Sequence, residues 1–290
     1  MTRTKLALNQ RMTPHNDFFA DVSQAQALGY DGIGLDEIKM PEGIDARALE
    51  AMEAAGLVST FVTPSIWPII PGPLDQPGQL TDISARVEAI CASVERLAKF
   101  SPLGVVVGGG RSGDPTNPAG TPDEIAEPLA RIAKTAAAYG MDVALEVMPL
   151  RRGSAIPDVP TAVALLDELG LSNIGLLIDV QHVWDEADRD PVLTKNASRV
   201  LYAQLNDVRS PQRTWADRLL PGDGLSQAPA IANALQAGGY QGWWELEVFS
   251  DDGTFGVELE DSLWRMPHLE LLRLGKERML RTLGSLSGEA

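Results

Sequence analysis

The chain has 290 residues, room for one large α/β core or two ordinary domains; its 44% hydrophobic and 22% charged fractions are those of a soluble globular protein and exclude disordered, collagen-like and membrane classes. Forty acidic against 24 basic residues leave a formal net charge of -16. With no basic run to offset it, that surface repels a phosphate backbone and argues against a nucleic-acid partner. One cysteine, Cys91, excludes a disulfide framework. The N-terminal "MTRTKLALNQRM" lacks the apolar core of a secretory leader, and no apolar run reaches the roughly 18 residues of a membrane span, so a cytoplasmic location is expected.

Apolar runs alternate with segments of helical period from one end to the other. Strands are predicted for "KLALNQ" from Lys5, "GIGLDE" from Gly32, "LVSTFV" from Leu57 and "GVVVGG" from Gly104. Four more follow: "DVALEV" from Asp142, "IGLLID" from Ile174, "VLYAQLN" from Val200 and "WWELEV" from Trp243. Helices are predicted between them at 17–28, 46–55, 83–99, 122–139, 161–169, 191–199 and 228–237, with a closing one at 268–283. The fourth opens on Thr121, Pro122 and Glu124, a capping box with proline at the first helical position. Pro128 is expected to bend or interrupt that helix. In the third, Cys91 travels with Val87, Ile90, Val94 and Leu97 at helical spacing and is expected to be a buried core thiol.

Eight strands each followed by a helix, the strands apolar on both faces, predict a closed parallel barrel: an α/β fold, one (β/α)8 TIM barrel spanning residues 1–290 as a single domain. An open doubly wound sheet is the alternative. Two loops rich in Pro and Gly, from Thr63 and from Gly108, are expected to rim the mouth. "GGGRSG" fits the register of a dinucleotide loop, but "DPTNPAG" follows where a helix would have to open, which argues against a nicotinamide cofactor.

A parallel barrel collects its chemistry at the carboxyl ends of its strands. The fifth strand ends on Glu146, the sixth on Asp179, the seventh on Gln204 and the eighth on Glu247, so the last four strands each deliver an oxygen ligand. Three carboxylates in one cavity repel one another unless a proton or cation is shared among them. A divalent ion meets that need, and the all-oxygen set favours manganese or magnesium, with cobalt and zinc as further candidates. His182, three residues past Asp179, is placed to reach the same ligand.

"GYDGIGLDE", "DVQHVWDEAD", "QLNDV", "LLPGDG" and "GGYQGWWELEVF", in this order, resemble the xylose isomerase-like barrel family of sugar phosphate isomerases and epimerases, which includes ketose 3-epimerases and inosose dehydratase. The resemblance implies that Glu146, Asp179, Gln204 and Glu247 bind the metal, that Glu146 and Glu247 are the acid–base pair, and that His182 contacts a substrate oxygen. It also implies a dimer or tetramer built through the helices. Two departures stand out: many members carry histidine where this chain has Gln204, and glutamate where it has Gly34.

The expected activity is therefore that of a metal-dependent isomerase or epimerase acting on a keto sugar through an enediolate; expulsion of a leaving group from the same intermediate would make a dehydratase or lyase. For substrate binding the candidates are His182, Arg152, Trp67 and Trp184; Arg209 and Arg218 compete with Arg152, and Trp243 and Trp244 are further aromatic candidates. His15 and His268 are read as structural. An endonuclease IV-like activity is disfavoured by three histidines and the net charge of -16. A non-catalytic sugar-binding barrel remains the rival of another class, separable by metal analysis.

Overall fold

A computed structural model describes residues 3–72 and 79–284; residues 73–78 of the loop predicted from Thr63 lie outside it. All eight predicted strands form: β1 (Lys5–Asn9), β2 (Gly32–Gly34), β3 in two pieces (Val58–Ser59 and Phe61–Val62), β4 (Gly104–Gly108), β5 (Asp142–Glu146), β6 (Ile174–Asp179), β7 (Val200–Leu205) and β8 (Trp243–Leu246). Each pairs in parallel with its neighbours, β8 returning beside β1. The first piece of β3 pairs with β2 and the second with β4, so the ring closes across Thr60. Thr60 itself bonds both sides, its N–H to Ile33 O at 3.0 Å and its carbonyl to Leu103 N at 2.9 Å. Closure of this kind excludes the open-sheet alternative.

The predicted helices also form: α1 (Phe18–Ala27), α2 (Asp45–Ala55), α3 (Ile83–Leu97), α4 (Pro122–Ala138), α5 (Val159–Leu169), α6 (Arg189–Asn196), α7 (Ala228–Ala237) and α8 (His268–Thr282). The capping box at Thr121 and Glu124 is present. Pro128 does not interrupt α4. One missing N–H is outweighed by the buried stripe of Ile125, Leu129, Ile132, Ala133 and Ala136, which holds the helix on the barrel. Cys91 is half-buried, not a core thiol; it sits at the edge of the α3 stripe where α4 approaches, and the Thr135 hydroxyl lies 3.3 Å from its sulfur.

Apolar packing is divided by the barrel wall. Ala7, Phe61, Val106, Ala144, Leu177, Tyr202 and Trp243 fill the interior. Leu8, Ile33, Val105 and Leu145 face outward and pack with helix residues such as Ile90, Ile132 and Leu271. Burial on both faces explains why the strands read as unbroken apolar runs. The filled interior pushes polar side chains up to the mouth.

Gly104 shows how tight the closure is: a Cβ there would lie 2.4 Å from the Asp142 carbonyl and 2.5 Å from the Phe61 ring. Gly104→Ala is expected to destabilise the protein by about 1–3 kcal/mol through overpacking, read from urea unfolding midpoints. A change below about 0.5 kcal/mol would show that the seam is looser than described.

Candidate active site

Asp179 ends β6 and caps the helical turn Val180–Val183, accepting from Gln181 N at 2.9 Å. That turn carries His182 back over the strand end, a consequence of i,i+3 geometry. His182 Nε2 lies 3.4 Å from Glu146 Oε1 and 3.5 Å from Asp179 Oδ2. The ligand atoms of Glu146, Asp179 and His182 all fall within 4.8 Å of one another, and all three residues are buried.

The motif around β7 does several jobs. Gln204 lies beside Asp179 in the β6–β7 register and beside Glu245 in the β7–β8 register. Asn206 donates to Asp179 Oδ1 at 2.6 Å. Asp207 accepts from Gly222 N and Ser226 N at 2.9 Å each, which ties the "LLPGDG" loop to the strand. An antiparallel ribbon, Asp207–Val208 with Arg218–Leu219, then swings Arg218 over the mouth. Arg218 Nη1 donates to Asp179 Oδ2 and to Glu247 Oε2, each at 2.9 Å. The guanidinium is itself buried and stacks 4.6 Å from the Phe249 ring centre.

These charges set one another's protonation. Burial, then repulsion from Asp179, raises the Glu146 carboxyl to about 7. Burial raises Glu247 too, against the pull of Arg218. Burial alone would raise Asp179, but Arg218, His182 and the bonds from Asn206 and Gln181 outweigh it and hold that carboxylate ionised. His182 is driven well below its ordinary value, by burial first, so it is a neutral imidazole.

A cavity of about 370 Å³ opens above this cluster, within the size range of small-ligand sites. Arg11, Trp67, Glu146, His182, Arg218 and Glu247 line it, with Arg111, Trp215, Phe249 and Phe255 among the other lining residues. Of the aromatic side chains read from sequence, Trp67 reaches the cavity, while Trp184 borders a separate surface hollow beside Asp185 and Arg189. Trp243 belongs to the barrel interior and Trp244 packs edge-on against Tyr240. Arg152 is absent from the lining; it donates to Trp215 O at 3.3 Å. Arg209 pairs with Asp217 and Asp261. His15 bonds Asp252, and His268 bonds Asn16.

Sequence reading passed over Arg11, Trp215 and Glu245. Only Glu245 left a usable signal: it lies two residues before Glu247, hence on the same strand face. Gly108 is also explained, since a Cβ there would lie 2.2 Å from the Trp67 ring, so the glycine admits that indole to the cavity wall. Gly34 leaves the space taken by Glu245: a Cβ there would lie 2.0 Å from Glu245 Oε1.

A divalent ion fits this donor set. Glu146, Asp179 and His182 are gathered closely enough to share one, and Gln204 Oε1 is a buried carbonyl oxygen with no hydrogen-bond partner among the described residues. The set differs from an all-oxygen one because His182 brings a nitrogen. Glu247 stands next to the three, joined to Asp179 through Arg218.

The architecture and the site together define a class. The chain belongs to the xylose isomerase-like TIM barrel family, which it matches over residues 22–272. It is 27% identical over 144 residues to an inosose dehydratase of Geobacillus thermodenitrificans, covering 44% of this chain and 47% of that protein. It is 27% identical over 139 residues to a D-psicose 3-epimerase of Enterocloster bolteae, covering 47% of this chain and 43% of that protein. Each match thus spans less than half of the relative. Among solved structures, the IOLI protein with a bound zinc atom superposes with a TM-score of 0.80 at 17% identity, covering 98% of this chain and all of that one, which is a likeness of fold. No helix among the described residues is long and apolar enough to cross a membrane.

Removing Arg218 leaves Asp179 and Glu247 facing each other without the cation that joins them. Arg218→Met is expected to cost about 3–5 kcal/mol in urea unfolding, the usual penalty for stripping one partner from a buried ion pair. Manganese should restore more stability to the variant than to the wild type. A loss below about 1 kcal/mol would show that Arg218 does not hold the carboxylates together.

Proposed function

We propose that the protein is a divalent-metal-dependent enzyme that moves a proton at the carbon next to the carbonyl of a sugar-like ketone, as an isomerase or epimerase. The observation that carries this reading is the meeting of Glu146, Asp179 and His182 within 4.8 Å at the buried end of the cavity, with Glu247 joined to Asp179 through Arg218. Glu146, Asp179, His182 and Gln204, with Glu247 at the edge, would hold the ion, whose chemistry there is to polarise a carbonyl oxygen and acidify the neighbouring C–H.

The chain's own residues supply the rest. With its carboxyl at about 7, Glu146 can take or return a proton near neutrality without a large energetic mismatch. Glu247, held toward its protonated form by burial, is the complementary partner. Neutral His182 can donate to or accept from a substrate oxygen. Arg11, held by Asp36 at 2.9 Å, and Arg218 supply donors for hydroxyl or carbonyl oxygens, while Trp67, Trp215 and Phe249 exclude water from the reacting carbon.

A second reading is favoured by one observation, the inosose dehydratase among the relatives: the same proton abstraction followed by loss of a leaving group would make the protein a lyase. Manganese suits the oxygen-rich donors, and the His182 nitrogen together with the zinc atom in the IOLI protein makes zinc the principal competitor. The substrate is a small molecule.

Incubation of manganese-loaded protein with keto sugars and inososes in D2O is expected to exchange the hydrogen next to the carbonyl, and Glu247→Gln should lower that exchange by about 100-fold or more. Exchange as fast in the variant as in the wild type would defeat the role given to Glu247. A product lighter than the substrate by one water would select the lyase.

A further inference from the structure

Beneath the metal-binding cluster lies a carboxylate that the proposed reaction does not use. Glu245 is wholly buried and makes no ion pair among the described residues, an expensive placement unless its hydrogen bonds are needed. Its Oε2 accepts from two side-chain amides, Asn9 Nδ2 and Gln204 Nε2, both at 2.8 Å. The same two nitrogens donate on their other side to Glu247 Oε1, at 3.1 and 3.2 Å. Two NH2 groups are therefore clamped between two carboxyl groups, and all four of their hydrogens are committed.

The far side of the clamp is fixed as well. Glu245 Oε1 accepts from the Tyr202 hydroxyl, which lies 2.9 Å from Thr60 Oγ1 at the barrel seam. Asn9 cannot turn over, because its own Oδ1 accepts from Arg11 N at 2.8 Å. Gly34 keeps the space clear. With both hydrogens of Gln204 spoken for, its carbonyl oxygen is the polar atom left over, buried and without a partner among the described residues.

We propose that Glu245 is a positioning residue: by accepting from Asn9 and Gln204 it sets the polarity of both amides, so that Gln204 offers oxygen to the cation and Glu247 offers the cavity only Oε2. An acceptor is required at the Glu245 Oε2 position, and a glutamine can place its carbonyl oxygen there whereas an apolar residue cannot. This inference rests on the metal-dependent reading above, and its test separates the two.

Manganese binding is measured calorimetrically on the whole chain. Glu245→Leu is expected to weaken it by about 10- to 100-fold, the usual effect of losing a group that orients a ligand, while Glu245→Gln stays within about threefold of the wild type. In a Gln204→Leu background, Glu245→Leu should cause a smaller further loss than it does in the wild type, because part of its effect passes through that amide. Wild-type affinity in Glu245→Leu, or losses that multiply in full, would overturn the assignment. A second measurement needs neither metal nor variant: in the wild type, the side-chain NH2 protons of Asn9 and Gln204 should exchange slowly with solvent by NMR, and rapid exchange of either pair would overturn it. Should the wild type bind no manganese, the metal-dependent reading fails while amide exchange still decides the place of Glu245.

Discussion

Glu146, Asp179, Glu245 and Glu247 are all buried at one end of one barrel, and their mutual repulsion is the constraint around which the rest of the site is arranged. Four carboxyl groups in low dielectric cannot all be ionised without compensation. Several forms of compensation are present. Arg218 lies between Asp179 and Glu247, Asn206 donates to Asp179, two amides lie between Glu245 and Glu247, and burial raises Glu146, Glu245 and Glu247 toward their protonated forms. A divalent ion would be one more such compensation, and the one with chemistry attached.

The fold produces this concentration through a division of labour. Strands β5 to β8 or their ends supply the carboxyl groups and Gln204, and the turn after β6 supplies His182. The earlier units contribute the wall, with Arg11, Trp67 and Arg111 standing on the segments after β1, β3 and β4. Asn9, at the end of β1, joins the two halves, because β1 and β8 are neighbours in the closed ring. Closure at Thr60 is therefore more than architectural, since the same residue steadies Tyr202 and through it Glu245.

Much of this was legible in the sequence, for identifiable reasons. Strand ends could be read because the strands are apolar on both faces, so the first polar side chain, such as Asp179 after "LLI", marks the mouth. His182 could be placed near Asp179 from spacing alone, although its closeness to Glu146 depends on how β5 and β6 pair. Glu245 was hidden because a charged residue inside an apolar strand reads as an outward-facing one unless the period of two is followed through to Glu247. Arg218 was one candidate among three, as only the ribbon pairing brings it over the mouth. An interruption at Pro128 and full burial of Cys91 were expected from local rules, where packing of α4 against its neighbours decides. The glycine at position 34 has a plain steric counterpart in Glu245.

The central claim is that these side chains hold one divalent ion at the floor of the cavity. Crystals grown with manganese and measured across its absorption edge test it directly. A single anomalous peak about 2.0–2.3 Å from the oxygens of Glu146 and Asp179 and from a ring nitrogen of His182 is predicted. A peak elsewhere, or none at saturating manganese with Arg218 still joining Asp179 to Glu247, would contradict it.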